Sequence, residues 1–258
     1  MPTNNRQLER KDRRAKLRVI RKKINRLGKG YLDDHDLKTA GVNRQLMSLE
    51  DKSILPRFFA PYQAKVDPPQ DENVTDSFPR FDELIFEDHA ESAQRFLHKY
   101  IQNGELPQDE EFPLVPCYKD WGDFGFPDLV EILGKPTWQL MTAWDMPLRK
   151  QPHIKCMLST DAVAENRLLY SEIVTIIEII RQRLRTRETR PHVDAPVFLY
   201  SFVDSSVRVL EGNFDGAELT VRATKLFDFS NDDRRGFELS LFLARWWYGD
   251  TTNEYTTL

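Results

Sequence analysis

The order of the apolar patterns in the C-terminal half is the feature that most restricts what this chain can fold into. Residues from Asp161 to about Arg187 repeat apolar side chains at helical spacing, and a second helical pattern ends at Gly249. Between these patterns lie three strand-like runs, at 197–203, 207–213 and 218–227. Asp215-Gly216 marks a hairpin between the last two runs. The order predicts an α+β fold whose C-terminal core is a helix, a three-stranded antiparallel meander and a helix.

The first 30 residues carry a concentrated positive charge. They contain 12 Lys or Arg and two acidic residues, a net of +10, whereas residues 31–258 contain 25 basic and 39 acidic residues, a net of −14. No Gly or Pro interrupts Thr3 to Leu27, and apolar residues recur at helical spacing from Leu17 onward. We predict a basic amphipathic helical arm over residues 1–30, with a solvated charge and little contribution to the core.

Proline and acidic residues set the next boundary. Five prolines between positions 56 and 79, with an acidic stretch from Asp67 to Asp76, predict a Pro-rich acidic linker over residues 31–80. Residues 81–258 then form the α+β globular domain, which opens on a helix predicted over 81–103. Inside this domain, residues 105–158 are predicted to be mostly irregular and packed by their aromatic side chains, with one short helix over 127–134.

The cysteines and the N-terminus predict where the protein resides. Cys117 and Cys156 lie far apart and form no C-x-x-C, which is not a disulfide framework. The opening MPTNNRQLERKDRR has no apolar stretch typical of a signal peptide. The longest apolar-rich run, 173–180, is too short to cross a bilayer. We therefore expect a nuclear or cytoplasmic protein with no transmembrane segment.

Two segments of the C-terminal half resemble a module of uncharacterised proteins from filamentous fungi. The resemblance covers residues 197–231 and 237–250. It rests on Arg208–Glu211 (RVLE), Phe214–Gly216 (FDG), Lys225–Phe229 (KLFDF) and Ala244–Trp247 (ARWW). The resemblance implies a fungal origin and one fold unit, the meander with its following helix, and it implies no activity.

Sequence motifs typical of catalysis or metal binding are lacking. The chain has no G-x-S-x-G, no P-loop and no dinucleotide-binding fingerprint. His153 and Cys156 form an H-x-x-C pair, which supplies only two of the ligands that a zinc site needs. We therefore assign no catalytic residue, no metal ligand and no cofactor.

One enzyme hypothesis stays open as the alternative. A metal-dependent nuclease could be built on the helix, three strands and helix, with acids at Asp204, Glu211 and Asp215 and a lysine at Lys225. This hypothesis is weaker, because Asp204 and Asp215 stand where turns favour Asp, and no Lys follows an acid on the third strand at the required spacing.

The interpretation that the sequence favours is a non-catalytic intracellular interaction protein whose basic arm serves nuclear targeting or contact with a polyanion. The residues predicted for that role are Arg13, Arg14, Lys16, Arg18, Arg21, Lys22 and Lys23. Nucleic acid is the polyanion that residues 1–30 would contact. A protein partner of unknown identity is predicted to meet Trp247 and Tyr248. Two alternatives remain for the basic residues. One is calmodulin-type or anionic-membrane binding by a basic amphipathic helix, and the other is docking of the arm on the protein's own acidic body.

Overall fold

The computed structural model of the protein describes residues 2–104, 117–118, 129–145, 151–230 and 233–252. Those ranges contain six α-helices and a large mixed sheet, which confirms the α+β class. The helices are α1 (Pro2–Leu27), α2 (Asp34–Ala40), α3 (Glu72–Thr75), α4 (Phe86–Gln102), α5 (Tyr170–Arg183) and α6 (Asp233–Tyr248). The strands are β1 (Tyr31–Leu32), β2 (Val42–Leu46), β3 (Cys117–Tyr118), β4 (Val130–Glu131), β5 (Trp138–Asp145), β6 (Ile154–Thr160), β7 (Leu168–Leu169), β8 (Val197–Val203), β9 (Ser206–Phe214), β10 (Leu219–Ala223) and β11 (Phe227–Asp228).

The main sheet runs in the order β2-β10-β9-β8-β6-β5-β3, with β11 beside β9 and β4 beside β5. The three predicted strands correspond to β8, β9 and β10, which pair antiparallel in succession. They lie within the larger sheet, because β8 also pairs parallel with β6 and β10 pairs parallel with β2. The chain therefore passes from β6 through α5 to the parallel strand β8, a β-α-β crossover that the sequence analysis did not predict.

Helices cover both faces of the sheet. Val197 and Leu199 of β8 belong to the apolar cluster shared with α1, α2 and α5. Phe198 and Tyr200 belong to the cluster shared with α4 and α6. A strand that is buried on both faces needs a continuous apolar sequence, and VFLYSFV meets that need.

The helix α5 packs closely on the sheet and is anchored at its first turn. Gly212 of β9 allows the approach, since a Cβ at that position would stand 2.4 Å from Cγ2 of Ile176. Arg208 of β9 pairs with Glu172 in the first turn of α5 at 3.0 Å, and both side chains are almost fully buried. Buried charges need this kind of complete pairing.

The packing of residues 2–80 corrects the predicted arm and linker. Leu17 and Ile24 of α1 are 0% exposed and lie in the same apolar cluster as α5, so α1 is an integral helix and not a solvated arm. Residues 31–80 supply the edge strand β2, and Phe59 and Val74 are buried in the second cluster. Sequence reasoning failed here because a short apolar stripe on a highly charged helix does not reveal whether a partner face exists.

Residues 105–158 also differ from prediction where they are described. The strands β5 and β6 pair over their lengths in the middle of the region that was predicted to be irregular. Part of the predicted 127–134 helix, positions 127–128, lies outside the described residues, while Val130–Glu131 is a strand beside β5. The predicted helix from Asp161 begins only at Tyr170, because Leu168–Leu169 pairs with β1 first.

His153 is a buried side chain next to β6 that has no polar partner. It is 3% exposed, its ring lies 5.4 Å from that of Phe59, and neither ring nitrogen has a hydrogen-bond partner in the described part of the chain. Burial, followed by the positive charges of His192, Arg183 and Lys155, lowers the pKa of His153 to about 3. The folded protein therefore holds this imidazole neutral, whereas the unfolded chain protonates it near pH 6.5.

A neutral buried histidine makes stability depend on pH in a predictable direction. Its contribution is complete above the unfolded pKa and is lost as the pH falls from about 6.5 toward 3, because the unfolded state then binds the extra proton. Between pH 7 and pH 5 we expect the free energy of unfolding to fall by about 2 kcal/mol from this group. Urea denaturation of the wild type and of His153→Phe should show a shallower pH dependence in the variant. The same pH dependence of the free energy of unfolding in both proteins would contradict the conclusion that folding keeps His153 neutral.

Candidate functional site

A cleft of about 330 Å³ lies between the N-terminal half of α1 and the segment that follows α5. The residues that line it are Arg6, Gln7, Arg10, Arg14, Leu184, Arg185, Arg190 and Pro191. Five of these are arginines, and no acidic residue is among them. We call this cavity the arginine cleft. Its lining favours an anionic ligand over a neutral or cationic one.

Helical spacing explains one wall of the arginine cleft. Arg6, Arg10 and Arg14 follow at intervals of four residues, which places them one above another on the same side of α1. The apolar stripe of α1 packs against α5. This packing places the side of α1 that carries the three arginines next to the C-terminal end of α5. Arg185 and Arg190 follow the last residue of α5 and form the opposite wall.

Arg10 is the structural member of the cleft. Its side chain is 4% exposed. It donates hydrogen bonds to the backbone carbonyls of Arg183, Leu184, Thr186, Thr189 and His192. The last carbonyls of a helix have no partner inside the helix, and a cation there also complements the helix dipole. Arg10 therefore caps α5 from a different helix, and the fold occupies its donors.

The other arginines keep unused donors. The side chains of Arg14 and Arg190 make no hydrogen bond and no ion pair within the described residues. Arg6 and Arg185 each make one long hydrogen bond, of 3.4 and 3.3 Å. A guanidinium group has five N–H donors in a planar fork that matches phosphate and carboxylate oxygens. Four such groups line the cleft with most of this capacity free.

The electrostatics of the cleft favour an anion. Burial, and after it the positive charges of neighbouring arginines, lowers the pKa of Arg10 to about 10. The same two causes, in the same order, lower the pKa of Arg14. Like charges that share a partly buried site raise the free energy of the protein, and a bound anion removes that repulsion.

A row of exposed basic side chains continues from the cleft along α1. Lys11, Arg14, Arg18 and Lys22 follow at spacings of three, four and four residues, so they lie on one side of the helix. Neighbours four residues apart are about 6 Å apart along the helix axis. Lys11, Arg18 and Lys22 are exposed and form no hydrogen bond or ion pair within the described ranges. After Asp12, α1 contains no acidic residue. We call this row the basic ridge.

Two of the seven predicted polyanion-binding residues form ion pairs with the body of the protein, and a third, Lys16, donates a hydrogen bond to the backbone carbonyl of Gly216. Arg13 is 7% exposed and lies 2.6 Å from Asp194. Arg21 lies 2.5 Å from Glu178, a carboxylate that is 2% exposed. For these two residues the packing matches the docking alternative, since acidic groups of the body neutralise them.

The remaining predicted residues divide by the side of α1 that they occupy. Arg14, Arg18 and Lys22 belong to the basic ridge. Lys16 and Lys23 lie on the other side of the helix, at about 100° per residue, and Lys16 pairs with an acid one turn earlier at 2.8 Å. Of the seven residues, only Arg14 lines the cleft, and Arg14, Arg18 and Lys22 belong to the ridge that continues from it.

Sequence reasoning did not identify four of the five arginines of the cleft. Arg6 and Arg10 carry a visible signal, which is their four-residue spacing with Arg14. Arg185 and Arg190 carry none, because only tertiary packing brings the end of α5 beside α1.

The predicted partner surface at Trp247 and Tyr248 is buried. Trp247 is 0% exposed and Tyr248 is 6% exposed. The Trp247 ring lies 5.4 Å from that of Trp144 and 5.2 Å from that of Tyr200, and the Tyr248 hydroxyl donates to the carbonyl of Ile101 on α4. The helix α6 is enclosed by the sheet and by α4, so it buries side chains in several directions. These residues form core and cannot meet a partner in the folded protein.

The three acids of the nuclease hypothesis do not meet. Asp204 precedes β9 and Asp215 follows it, which separates them by roughly 30 Å at about 3.3 Å per residue. Glu211 lies between them, is 1% exposed and accepts the backbone amides of Arg57 and Phe58. Across the described residues, no group of three or more His, Cys, Asp or Glu side chains is arranged to hold a metal ion.

The chain was compared with family models, with curated proteins and with solved structures, and none of these comparisons found a match. Among the described helices, none combines the length and the apolar character needed to cross a membrane. The arrangement of side chains is therefore the basis for a functional proposal.

The capping role of Arg10 predicts a contrast between adjacent arginines of one helix face. We expect Arg10→Met to lower the free energy of unfolding by about 3 kcal/mol or more, because five backbone carbonyls each lose a charged hydrogen-bond donor. Arg14→Met should change it by only about 0.5 kcal/mol, since that side chain has no hydrogen bonds to lose. Chemical denaturation of both variants measures the difference. Equal stabilities would show that the cap does not hold α1 to α5.

Proposed function

We propose that the protein is a non-catalytic binding protein that contacts a linear, phosphate-rich polyanion through the arginine cleft and the basic ridge. Single-stranded nucleic acid is the ligand class that we assign. The observation that carries the proposal is a set of unneutralised cations gathered on one side of α1 in a chain with 41 acidic and 37 basic residues. Acidic residues are plentiful, yet none lines the cleft.

The chemistry of the two surfaces favours the phosphate backbone over the bases. No aromatic residue lines the cleft, and α1 has none along its length. Proteins that read or stack bases rely on aromatic platforms, whereas guanidinium and ammonium groups bind phosphate oxygens of any sequence. We therefore expect binding that depends on charge and not on nucleotide sequence.

Polyanion contact is better supported than nuclear targeting. Charges held on a rigid surface lose little conformational entropy when a polyanion binds, and the basic ridge is part of a helix whose other side is buried. Targeting through the basic set would use Arg13 and Arg21 as well, and both are held in ion pairs with the body. The arginine cleft has no role in a targeting signal.

Salt dependence and a pair of ridge substitutions test the proposal. If about four phosphates are contacted, the logarithm of the affinity for single-stranded DNA should fall with the logarithm of salt concentration at a slope of about −3. In Arg18→Gln/Lys22→Gln the slope should decrease in magnitude by about 1.4, because two phosphate contacts are lost. Fluorescence anisotropy with a labelled oligonucleotide over a salt series provides both values.

A matched control separates the ridge from the total charge. Lys52→Gln/Lys225→Gln removes the same two charges from exposed positions away from α1, one in the loop after β2 and one after β10. This control should keep the wild-type affinity and slope. If it weakens binding as much as the ridge variant does, or if no variant changes binding, the assignment of the ridge is wrong.

A further inference from the structure

The arginine cleft and the basic ridge differ in shape, and the difference indicates what each can hold. The ridge is a row of side chains on the outside of one helix. The cleft is walled by two separate segments, α1 on one side and residues 184–191 on the other. A volume of about 330 Å³ is at the lower limit for sites that enclose a small ligand. The cleft suits a compact group or the end of a chain, and the ridge suits a strand that passes along it.

The charge in the cleft exceeds what an internal phosphodiester needs. Arg6, Arg14, Arg185 and Arg190 supply four guanidinium groups with free donors. An internal phosphodiester carries one negative charge, whereas a terminal triphosphate carries roughly −3.5 to −4, since a terminal phosphate alone reaches about −1.5 to −2. Four clustered guanidinium groups therefore match a cluster of phosphates and not a single backbone phosphate.

The position of the cleft relative to the ridge indicates where the rest of the ligand lies. Arg14 belongs to both, and the ridge extends from it to Lys22 over about 12 Å of helix. Burial of Arg10 and partial burial of Arg14 strengthen interactions with an anion in the cleft, because fewer water molecules screen the charges there. An anion in the cleft would thus be the anchor, with a weaker and more exposed run of phosphates beside it.

We infer that the arginine cleft binds the clustered phosphates at a 5′-triphosphorylated end of a single-stranded nucleic acid, whose following backbone lies on the basic ridge. This inference rests on the proposed function and adds a preference for the end of the chain. The shared chemistry is an oligophosphate group, which could come from a nucleic-acid end or from free polyphosphate.

Two RNAs that differ only at the 5′ end test the inference. We would measure the binding of a single-stranded RNA of about ten nucleotides, bearing either a 5′-triphosphate or a 5′-hydroxyl, at one fixed salt concentration. The triphosphorylated RNA should bind at least about tenfold more tightly to the wild type. In Arg185→Gln/Arg190→Gln this preference should disappear, while Arg18→Gln/Lys22→Gln should weaken both RNAs and keep the preference. Both variants remove two charges, and neither touches the Arg10 cap.

The possible outcomes separate the inference from the proposed function. Equal, measurable affinities of the wild type for the two RNAs would overturn the inference and leave the proposed function intact. Absence of binding to either RNA would overturn both. Inorganic tripolyphosphate is the third probe. If it binds as tightly as the triphosphorylated RNA and the ridge variant has no effect on that RNA, the ligand is free polyphosphate and the chain-end inference is overturned.

Discussion

The cap that Arg10 places on the C-terminal end of α5 is the interaction on which this architecture depends. The helix α5 is the crossover between the parallel strands β6 and β8, and it covers the centre of one sheet face. Arg208 anchors its first turn through Glu172, and Arg10 satisfies the carbonyls at its other end. Without α1, those carbonyls would lose the guanidinium donor, and part of the apolar cluster would lose its packing partner.

The same helix therefore has a structural side and a side that we propose binds the ligand, and the packing of the first fixes the position of the second. Arg10 and Leu17 are buried, which holds α1 in one position along α5. Arg14 lies between them on the adjacent side, so its place in the cleft follows from the docking of its neighbours. A binding group carried on a rigid, packed helix loses little conformational entropy when the ligand arrives. The N-terminal segment can carry the proposed binding site because it is part of the core.

The charge distribution gives the proposed function its physical basis. Most buried charges of the described chain are paired, as in Arg183 with Asp145 and Arg208 with Glu172. In the arginine cleft, arginines from two segments converge at partly buried and exposed positions, and no carboxylate lines it. Native structures normally keep like-charged side chains apart, because like charges at short range raise the free energy of the native state. A ligand that supplies the missing negative charge is the simplest reason for the arrangement.

The sequence by itself determined the α+β class, the strands β8 to β10, the existence of a helix in the first 30 residues and its strong positive charge. Periodicity and turn signals encode these features locally, as Asp215-Gly216 does for the hairpin before β10. Tertiary structure alone decided that α1 is core, that β5 and β6 complete the sheet, and that Trp247 lies inside. It also decided which arginines form a site, since Arg14 and Arg190 meet only because α1 docks on the end of α5. A periodic pattern states which side of an element is apolar or charged, but the partner of that side is set by contacts between residues far apart in the chain.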